Sequence, residues 1–351
     1  MTLGSNKMLE PSKARDAAKD VLASVRLGRD PAAERAEARV RASDEPLGAV
    51  VDRFLARQEG RLRPRSLTET TRYLKTHWKP LHDLHVVQVR RDSVAKRLGA
   101  IAGENGPVAA DRARAALSAF FTWAIGEGLC EANPVIGTNK AAQLQSRERV
   151  LSDHELKRIW HVLPDNDYGR ITRLLILTGQ RREEIGGLRW SEIDMATRVI
   201  TLPGERTKNH RPHDVPLSKP TLSILKAQPT RDGREFVFGD GPRRSSQEGE
   251  DARQGGFQGW SKSKTALDEQ TKTIGEWRLH DLRRTVATRM AELGVQPHIV
   301  EAVLNHVSGH KSGIAGIYNR AAYTEEKTAA LALWGEHVDR LVSSKKKVRR
   351  K

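Results

Sequence analysis

The chain reads T-G-Q-R-R-E-E-I at residues 178–185, H-D-L-R-R-T at 280–285 and, further on, L-N-H at 304–306 followed by I-Y-N-R at 317–320. Each stretch alone has an ordinary explanation; an R-x-x-E on a helix, for example, is commonly a surface ion pair. The order of the three stretches along one basic chain is the informative feature, and it guides the interpretation of the rest of the sequence.

The residue types in these stretches suit chemistry on a phosphodiester. Attack on a phosphodiester builds negative charge on its non-bridging oxygens, which fixed cationic donors relieve. Arginine suits this task because its planar fork binds two phosphate oxygens and does not deprotonate. His280 and Arg283 lie one helical turn apart, so we expect a base and an arginine on the same helix face. Arg181, with Glu184 one turn further on, supplies a second candidate pair.

Three further positions have competing interpretations. Lys208, in R-T-K-N-H-R-P-H, is either a solvated turn lysine or a proton donor at a hairpin tip. A tyrosine hydroxyl is a weak nucleophile near neutral pH and needs a neighbouring base or an activating field. Tyr318 and Tyr323 are both candidates for that nucleophile. His306 and His310 are both candidates for a second histidine role.

Composition favours a polyanionic partner. The 351 residues include 61 Lys and Arg against 44 Asp and Glu, a formal charge of +17. That excess favours nucleic acid over an anionic membrane. The single cysteine, Cys130, excludes an intramolecular disulfide and a cysteine-built metal cluster. Because no long apolar run, signal peptide or histidine metal motif occurs, we expect a soluble, intracellular, metal-free protein.

Apolar periodicity predicts a mainly α-helical chain with a small antiparallel β-sheet. Ser152 with Glu155 makes a capping box that opens a new domain, and Leu151 with Leu156 has the spacing of a hydrophobic staple. Gly179 is expected to end the helix over 168–177, which places Arg181 in the turn before the next helix.

Short β-prone runs surround the turn that contains Lys208. They cover 199–202 and the stretch from Val215 to Leu217, and 236–238 is the candidate third strand. Residues 239–256 are polar and rich in Gly and Ser, and they predict a surface loop.

Taken together, these phrases resemble the tyrosine recombinase (phage integrase) family over residues 46–342, closest to prophage and genomic-island integrases. Linking phrases carry the resemblance too: E-I-G-G-L-R-W at 184–190 and G-W-S-K-S-K at 259–264. It implies a helical core-binding domain plus a mixed α/β catalytic domain. The implied organisation is a remnant of an arm-binding domain at 1–45, a core DNA-binding domain at 46–135, a linker at 136–150, the catalytic domain at 151–342 and a basic tail at 343–351.

The resemblance also implies roles at each position. Tyr318 would attack the scissile phosphate to give a 3′-phosphotyrosine and a free 5′-hydroxyl, and its I-Y-N-R context favours it over Tyr323. Arg181 and Arg283 would hold the non-bridging oxygens, His306 would add a hydrogen bond, and Lys208 would protonate the leaving oxygen. His280 would accept the tyrosine proton or help to stabilise the charge. Glu184 would orient Arg181 or its helix. L-N-H matches the family phrase, so His306 is preferred to His310. No cofactor or metal is implied.

The implied function is site-specific recombination that integrates or excises a prophage or genomic island. The implied partners are double-stranded DNA at attachment sites and a homotetramer on synapsed DNA, with an excisionase or a host architectural protein as a regulatory partner and no membrane. The implied location is the cytoplasm, with the nucleoid. A catalytically decayed DNA-binding regulator and a type IB topoisomerase-like enzyme are the alternatives. The final helix, 324–342 with Trp334, either docks on a neighbouring subunit or packs on its own domain.

Overall fold

The computed structural model describes residues 11–26, 45–142, 148–230, 233–239, 255–306 and 321–344. The chain divides into two compact units, Met1–Ser146 and Arg147–Lys351. The described residues are mostly helical and contain a small three-stranded antiparallel sheet. The predicted fold class is confirmed.

In its described part, the first unit consists of helices joined by turns and loops, with an isolated β-bridge between Pro46 and His85. The α-helix over Pro64–Arg72 is continued by a π-helical turn over Tyr73–His77, and short 3-10 turns occupy Lys79–Leu81 and Val86–Gln88. The α-helices are α1 (Pro11–Arg26), α2 (Leu47–Gln58), α3 (Pro64–Arg72), α4 (Arg91–Asn105) and α5 (Pro107–Gly126).

Aromatic side chains fill the core of this unit. The rings of Phe54 and Phe120 meet edge to face with centroids 5.7 Å apart, and an edge-to-face contact of this kind adds to the hydrophobic gain. Trp78 is fully buried, and its indole N–H donates to the carbonyl of Ala113 at 2.9 Å. Gly106, with φ of +88°, lets the chain turn directly from α4 into α5.

The second unit wraps helices around the sheet. Its elements, in chain order, are α6 (Asp153–Val162), α7 (Asp167–Thr178), α8 (Arg182–Gly186), β1 (Ile193–Asp194), β2 (Val199–Leu202), β3 (His213–Pro216), α9 (Lys219–Lys226), α10 (Trp260–Gln270), α11 (Leu279–Glu292), α12 (Pro297–Val303) and α13 (Thr324–Ser343).

Local signals define the start of this unit as predicted. The Ser152 hydroxyl accepts from the Glu155 backbone N–H, and the Glu155 carboxylate accepts from the Ser152 N–H. Leu151 and Leu156 are both buried. Gly179 ends α7 in the left-handed region, with φ of +65°. The capping box, the staple and the glycine stop are therefore all present.

Close packing gives Gly179 a second reason to be glycine. A Cβ placed there would lie 2.8 Å from Leu304 Cδ2 and 3.0 Å from Val286 Cγ1. Because Val286 belongs to α11 and Leu304 is the C-cap of α12, the turn that precedes Arg181 packs against both helices. The chain then enters α8 with Arg181 as its N-cap.

The sheet has the order β1-β2-β3, with both pairs antiparallel. Val199 pairs with Pro216 and Leu202 with His213, so residues 203–212 form the connection that contains Lys208. The predicted third strand at 236–238 is wrong, because this segment makes only an isolated bridge between Phe236 and Arg189. Its apolar residues pack into the core instead, since Val237 and Phe238 are buried.

The final helix packs on its own unit. Trp334 is fully buried, and its indole N–H donates to the carbonyl of Ile176 at 2.8 Å. Lys327 is also buried, and its ammonium donates to the carbonyl of Asp214 on β3 at 3.0 Å. Of the two alternatives for this helix, the self-packed one is found.

Some predicted features lie outside the described residues, wholly or in part. They include the interior of the 239–256 loop, part of the 136–150 linker and nearly all of the 343–351 tail. Within the described residues, no helix is both long enough and apolar enough to cross a membrane.

Candidate active site

The end of α12 organises the candidate site. Asn305 lies in the left-handed region with φ of +48°, a conformation that asparagine tolerates better than most residues. Its N–H donates to the carbonyl of Ala302 at 3.2 Å, and the N–H of His306 donates to the carbonyl of Glu301 at 2.9 Å. These two bonds form a Schellman motif. The motif uses the carbonyls of Ala302 and Glu301, and the next three carbonyls, of residues 303–305, accept from donors on other elements.

Two arginines bind these carbonyls. Arg283 donates to the carbonyl of Leu304 and, at 2.8 Å, to the carbonyl of Gly179. Arg181 donates through Nη2 to the carbonyl of Asn305 at 3.4 Å. The C-terminal end of a helix carries partial negative charge, which favours cations there. Consecutive carbonyls after α12 therefore bring the two predicted phosphate-binding arginines together.

Glu184 fixes Arg181 from both ends. Its Oε2 accepts from the backbone N–H of Arg181 at 2.9 Å, and its Oε1 accepts from the Nη1 of Arg181 at 2.8 Å. The Glu184 side chain is only 3% exposed and that of Arg181 20%. The pair is therefore mostly buried, so it differs from the solvent-exposed i, i+3 pair that the spacing alone suggests. A carboxylate in this position restricts the guanidinium to one orientation.

Arg283 is buried, with 7% exposure. Burial, together with the nearby positive charge of Arg181, lowers its pKa to about 10, and the charge of Glu184 partly opposes this shift. The group remains charged at neutral pH. Two like charges are thus held close together in a largely desolvated place, and a bound anion would relieve their repulsion.

His280 occupies the exposed side of α11, one turn before Arg283. Partial burial of its ring lowers its pKa, and the positive charges of Arg284, Arg283 and Arg181 lower it as well. The imidazole is therefore neutral at neutral pH and able to accept a proton. Arg283 lies one turn away on the same helix, and the charge of Arg181 also acts on this ring. The three predicted residues therefore form one cluster.

Lys208 lies at the exposed tip of the β2–β3 connection, as the sequence indicates. The preceding residue, Thr207, is fully buried, and its hydroxyl lies 3.0 Å from the carbonyl of Gly204 and 2.8 Å from that of Arg211. The following residue, Asn209, donates to the side-chain oxygen of Asn305 at 2.8 Å. The tip is therefore attached to the end of α12.

The structure describes two of the four remaining candidates, His306 and Tyr323. His306 is exposed and directly follows Asn305. Tyr318 and His310 lie outside the described residues. Tyr323, the alternative nucleophile, is half-buried at the N-cap of α13, and its ring centroid lies 5.3 Å from that of His298.

Two further polar residues that sequence reasoning missed, His213 and Gln180, also contact the end of α12. His213 Nε2 lies 3.0 Å from the carbonyl of Val303 and must carry the proton, since a carbonyl only accepts. Gln180 donates to the same carbonyl at 2.9 Å. Burial, with a smaller contribution from the charge of Lys327, lowers the pKa of His213 to about 4. The period-2 alternation of β3, with His213 and Val215 both buried, could have identified the histidine.

A metal site is not part of this cluster. Among the described residues, no group of three or more His, Cys, Asp and Glu side chains is placed to hold a metal ion. The candidate site consists of arginines, histidines and hydrogen-bonding amides around helix carbonyls.

Comparison with known proteins agrees with this architecture. Residues 149–325 match the profile of the phage integrase family, and residues 47–141 match that of the phage integrase central domain. A solved lambda integrase tetramer bound to a Holliday junction has a TM-score of 0.58 and 20% identity, covering 92% of this chain and 89% of that one. That likeness supports the predicted fold, in which a helical domain precedes a mixed α/β domain.

Two curated relatives come from Escherichia coli strain K12. Prophage integrase IntA is 26% identical over 271 residues, which cover 73% of this chain and 60% of the relative. Prophage integrase IntZ is 30% identical over 247 residues, which cover 68% of this chain and 57% of the relative. The chain thus spans somewhat under two thirds of the length of these relatives. With both units of the chain matched, it belongs to the phage integrase family of tyrosine recombinases and is similar to prophage integrases.

Proposed function

We propose that the protein is a site-specific DNA recombinase that cuts and rejoins DNA through a 3′-phosphotyrosine, integrating or excising a prophage or genomic island. The observation that carries the proposal is the pairing of Arg181 with Arg283 at the end of α12, beside the neutral His280. Two desolvated guanidiniums at close range suit an anion that carries two non-bridging oxygens. A scissile phosphodiester is such an anion.

In the proposed reaction the Tyr318 hydroxyl oxygen attacks the phosphorus, and the bond from phosphorus to the 5′-oxygen breaks. The tyrosine proton passes to His280, and a proton from Lys208 passes to the 5′-oxygen, so that a 5′-hydroxyl leaves. The phosphate becomes a 3′-phosphotyrosine ester. Attack of another 5′-hydroxyl on this ester reverses the steps on a new strand. The ester conserves the bond, so rejoining needs no external energy source.

Charge on the phosphate oxygens rises during this attack. Arg181 and Arg283 would bind the non-bridging oxygens, and His306 would add a hydrogen bond. Glu184 would act through Arg181, since it binds both the backbone and the guanidinium of that residue. Because these donors are already oriented before DNA binds, little reorganisation is needed as the charge develops.

We extend the proposal to organisation and partners. Residues 46–135 would bind the core site and 151–342 would perform catalysis, with 136–150 as the linker, 1–45 as a remnant of an arm-binding domain and 343–351 as a basic tail. The partners would be double-stranded attachment-site DNA, three further copies of the chain on synapsed DNA, and an excisionase or a host architectural protein. The protein would act in the cytoplasm at the nucleoid. The solved relative on a Holliday junction is a tetramer, which supports the assembly.

Adduct formation on nicked duplexes tests the chemistry. The duplexes are cut from the DNA that flanks the gene, where an integrase's attachment site is expected. A nick near the cleavage point lets a short fragment diffuse away and traps the ester. Wild type, Tyr318→Phe and Tyr323→Phe are compared on denaturing gels, with native gels to measure binding.

We expect a denaturant-resistant adduct from wild type and Tyr323→Phe and none from Tyr318→Phe. An adduct that is lost only in Tyr323→Phe would move the nucleophile to that residue. Specific binding with no adduct from any protein would contradict the proposed chemistry and indicate a DNA-binding regulator. Cleavage that needs no specific site and no second duplex would instead indicate topoisomerase-like activity.

A further inference from the structure

Two asparagines far apart in sequence bind each other beside the candidate site. Asn209 Nδ2 donates to Asn305 Oδ1 at 2.8 Å and to the backbone carbonyl of Asn305 at 3.2 Å. Asn305 Nδ2 lies 3.3 Å from Asn209 Oδ1, which makes the amide contact reciprocal. Asn305 Nδ2 also lies 3.5 Å from the carbonyl of Arg211, on the same β2–β3 connection.

This amide pair joins the parts of the site that would act on the phosphate. Asn209 directly follows Lys208 in the exposed tip, and Asn305 directly precedes His306. The carbonyl of Asn305 that accepts from Asn209 also accepts from Arg181. Asn305, at the end of α12, therefore connects the tip that carries Lys208 with His306 and Arg181.

The attachment of the tip is local and weak by comparison with the arginine contacts. Both asparagines are half-buried, and a neutral side-chain hydrogen bond contributes about 0.5–1.5 kcal/mol to stability. The neighbouring Thr207 hydroxyl lies within hydrogen-bond distance of two carbonyls of the connection itself. The Asn209 contacts reach from this connection to the end of α12, so they help to set the position of the lysine relative to the arginines.

We propose that the Asn209–Asn305 pair is a positioning device that sets Lys208 against the 5′-oxygen of a phosphate held by Arg181 and Arg283. This inference rests on the proposed function. The pair touches neither phosphate nor nucleophile; it acts through the lysine. Loss of the pair therefore impairs proton donation to the leaving oxygen more than it impairs phosphate binding.

The leaving group provides a test that a merely structural role would not pass. An alkoxide is a poor leaving group and needs a proton. A thiolate leaves without one, because a thiol has a pKa of about 8.5. Replacing the bridging 5′-oxygen by sulfur in the nicked attachment-site duplex thus removes the need for Lys208. Single-turnover adduct formation is measured on the oxygen and sulfur substrates, side by side.

The variants are chosen to preserve the fold. Asn209→Ala removes one amide, and Asn305→Gly removes the other while glycine keeps the left-handed end of α12. Lys208→Ala is the reference for lost proton donation. Thr201→Ala is the matched control, because the Thr201 hydroxyl donates to Asp214 Oδ1 at 2.9 Å across the same hairpin, away from its tip.

We expect Asn209→Ala and Asn305→Gly to slow cleavage of the oxygen substrate about 10- to 100-fold, the scale of a misplaced reacting group. On the sulfur substrate both should match wild type, as Lys208→Ala should. The double variant should be no slower than the slower single one. Thr201→Ala should behave as wild type on both substrates.

Equal slowing on both substrates would overturn the inference, since it would indicate a general loss of structure or DNA binding. Unchanged cleavage of the oxygen substrate would overturn it as well. If wild type forms no adduct on either substrate, the proposed function fails first and the inference fails with it. If Lys208→Ala is not rescued by sulfur while wild type is active, the assigned role of the lysine is wrong and the recombinase proposal stands.

Discussion

Two regions of the second unit present cations in different ways. Arg181 and Arg283 are largely buried, and each binds a backbone carbonyl at the end of α12. Lys208 is exposed at a hairpin tip that an amide pair attaches to the same helix end. The first region is fixed by several contacts within the core, and the second by a few contacts at the surface.

The difference matches the two tasks in the proposed reaction. Charge stabilisation works best with donors that are oriented in advance, because no reorganisation is then needed as charge develops. Proton transfer needs a group that can approach and leave the reacting oxygen. Variants that affect one region and spare the other should therefore separate binding of charge from transfer of the proton.

Arg283→Ala should have the largest effect on cleavage. Removing one preorganised donor typically costs about 10²–10³-fold in rate, and Arg283 contributes a whole guanidinium. The variant also leaves the carbonyls of Gly179 and Leu304 without this donor, at about 1–3 kcal/mol for a buried group. Single-turnover adduct formation and thermal unfolding measure the two effects. Arg283→Lys should recover little activity, because an ammonium cannot bind both carbonyls and a phosphate in the same geometry.

Lys208→Ala should slow cleavage about 10²-fold, the lower end for a positioned proton donor. Its free energy of unfolding should stay within about 0.5 kcal/mol of wild type, because the side chain is exposed. The same two assays apply, with Lys226→Ala, an exposed lysine of α9, as the matched control. A clear loss of stability in Lys208→Ala would contradict the contrast between the two regions.

Glu184→Gln should produce a smaller defect, about tenfold, because a neutral hydrogen bond to Arg181 replaces a charge-assisted one. The rate should fall while DNA affinity changes little, since the arginine is retained but held less firmly. Adduct rates at saturating protein measure this. Glu183→Gln, at an exposed neighbour on the same helix, is the control. A wild-type rate in Glu184→Gln would mean that the carboxylate does not orient Arg181.

His213→Gln should leave cleavage near neutral pH within about twofold of wild type, since the amide can still donate to the carbonyl of Val303. Its effect should appear in stability. Burial lowers the pKa of His213 from 6.5 to about 4. Between these values the unfolded chain binds a proton that the folded chain does not. The free energy of unfolding therefore falls as the pH decreases through this range, by about 3 kcal/mol.

Unfolding midpoints measured from pH 7.5 to pH 4 for wild type and His213→Gln test this. The variant should lose less stability across the window. Carboxylates and His280 titrate in both proteins and cancel in the comparison. Parallel curves would mean that His213 is not the buried neutral group described above.

Local signals predicted much of the fold. The Ser152 capping box and the Gly179 stop depend on residues close in sequence, so their positions followed from spacing. The prediction of a strand at 236–238 was wrong because a short run of apolar residues fits either a strand or a loop that packs in the core. The strand that does join the sheet, Ile193–Asp194, has only two residues and carries too little pattern to be recognised.

The candidate site was predicted in part. Arg181, His280 and Arg283 were identified by residue type and order, and the structure brings them together; their roles remain predictions. His213, Asn209 and Asn305 were missed because their significance comes from contacts across some 90 residues or more. No local rule indicates that a turn asparagine will meet the end of a distant helix.

The burial of Trp334 bears on how the second unit folds. Its indole bonds to the carbonyl of Ile176, so the central helix of the unit completes its packing only with the last helix in place. A chain emerging from the ribosome has both arginines outside long before that helix appears. Nascent or prematurely terminated chains therefore lack the packed core that orients Arg181 and Arg283.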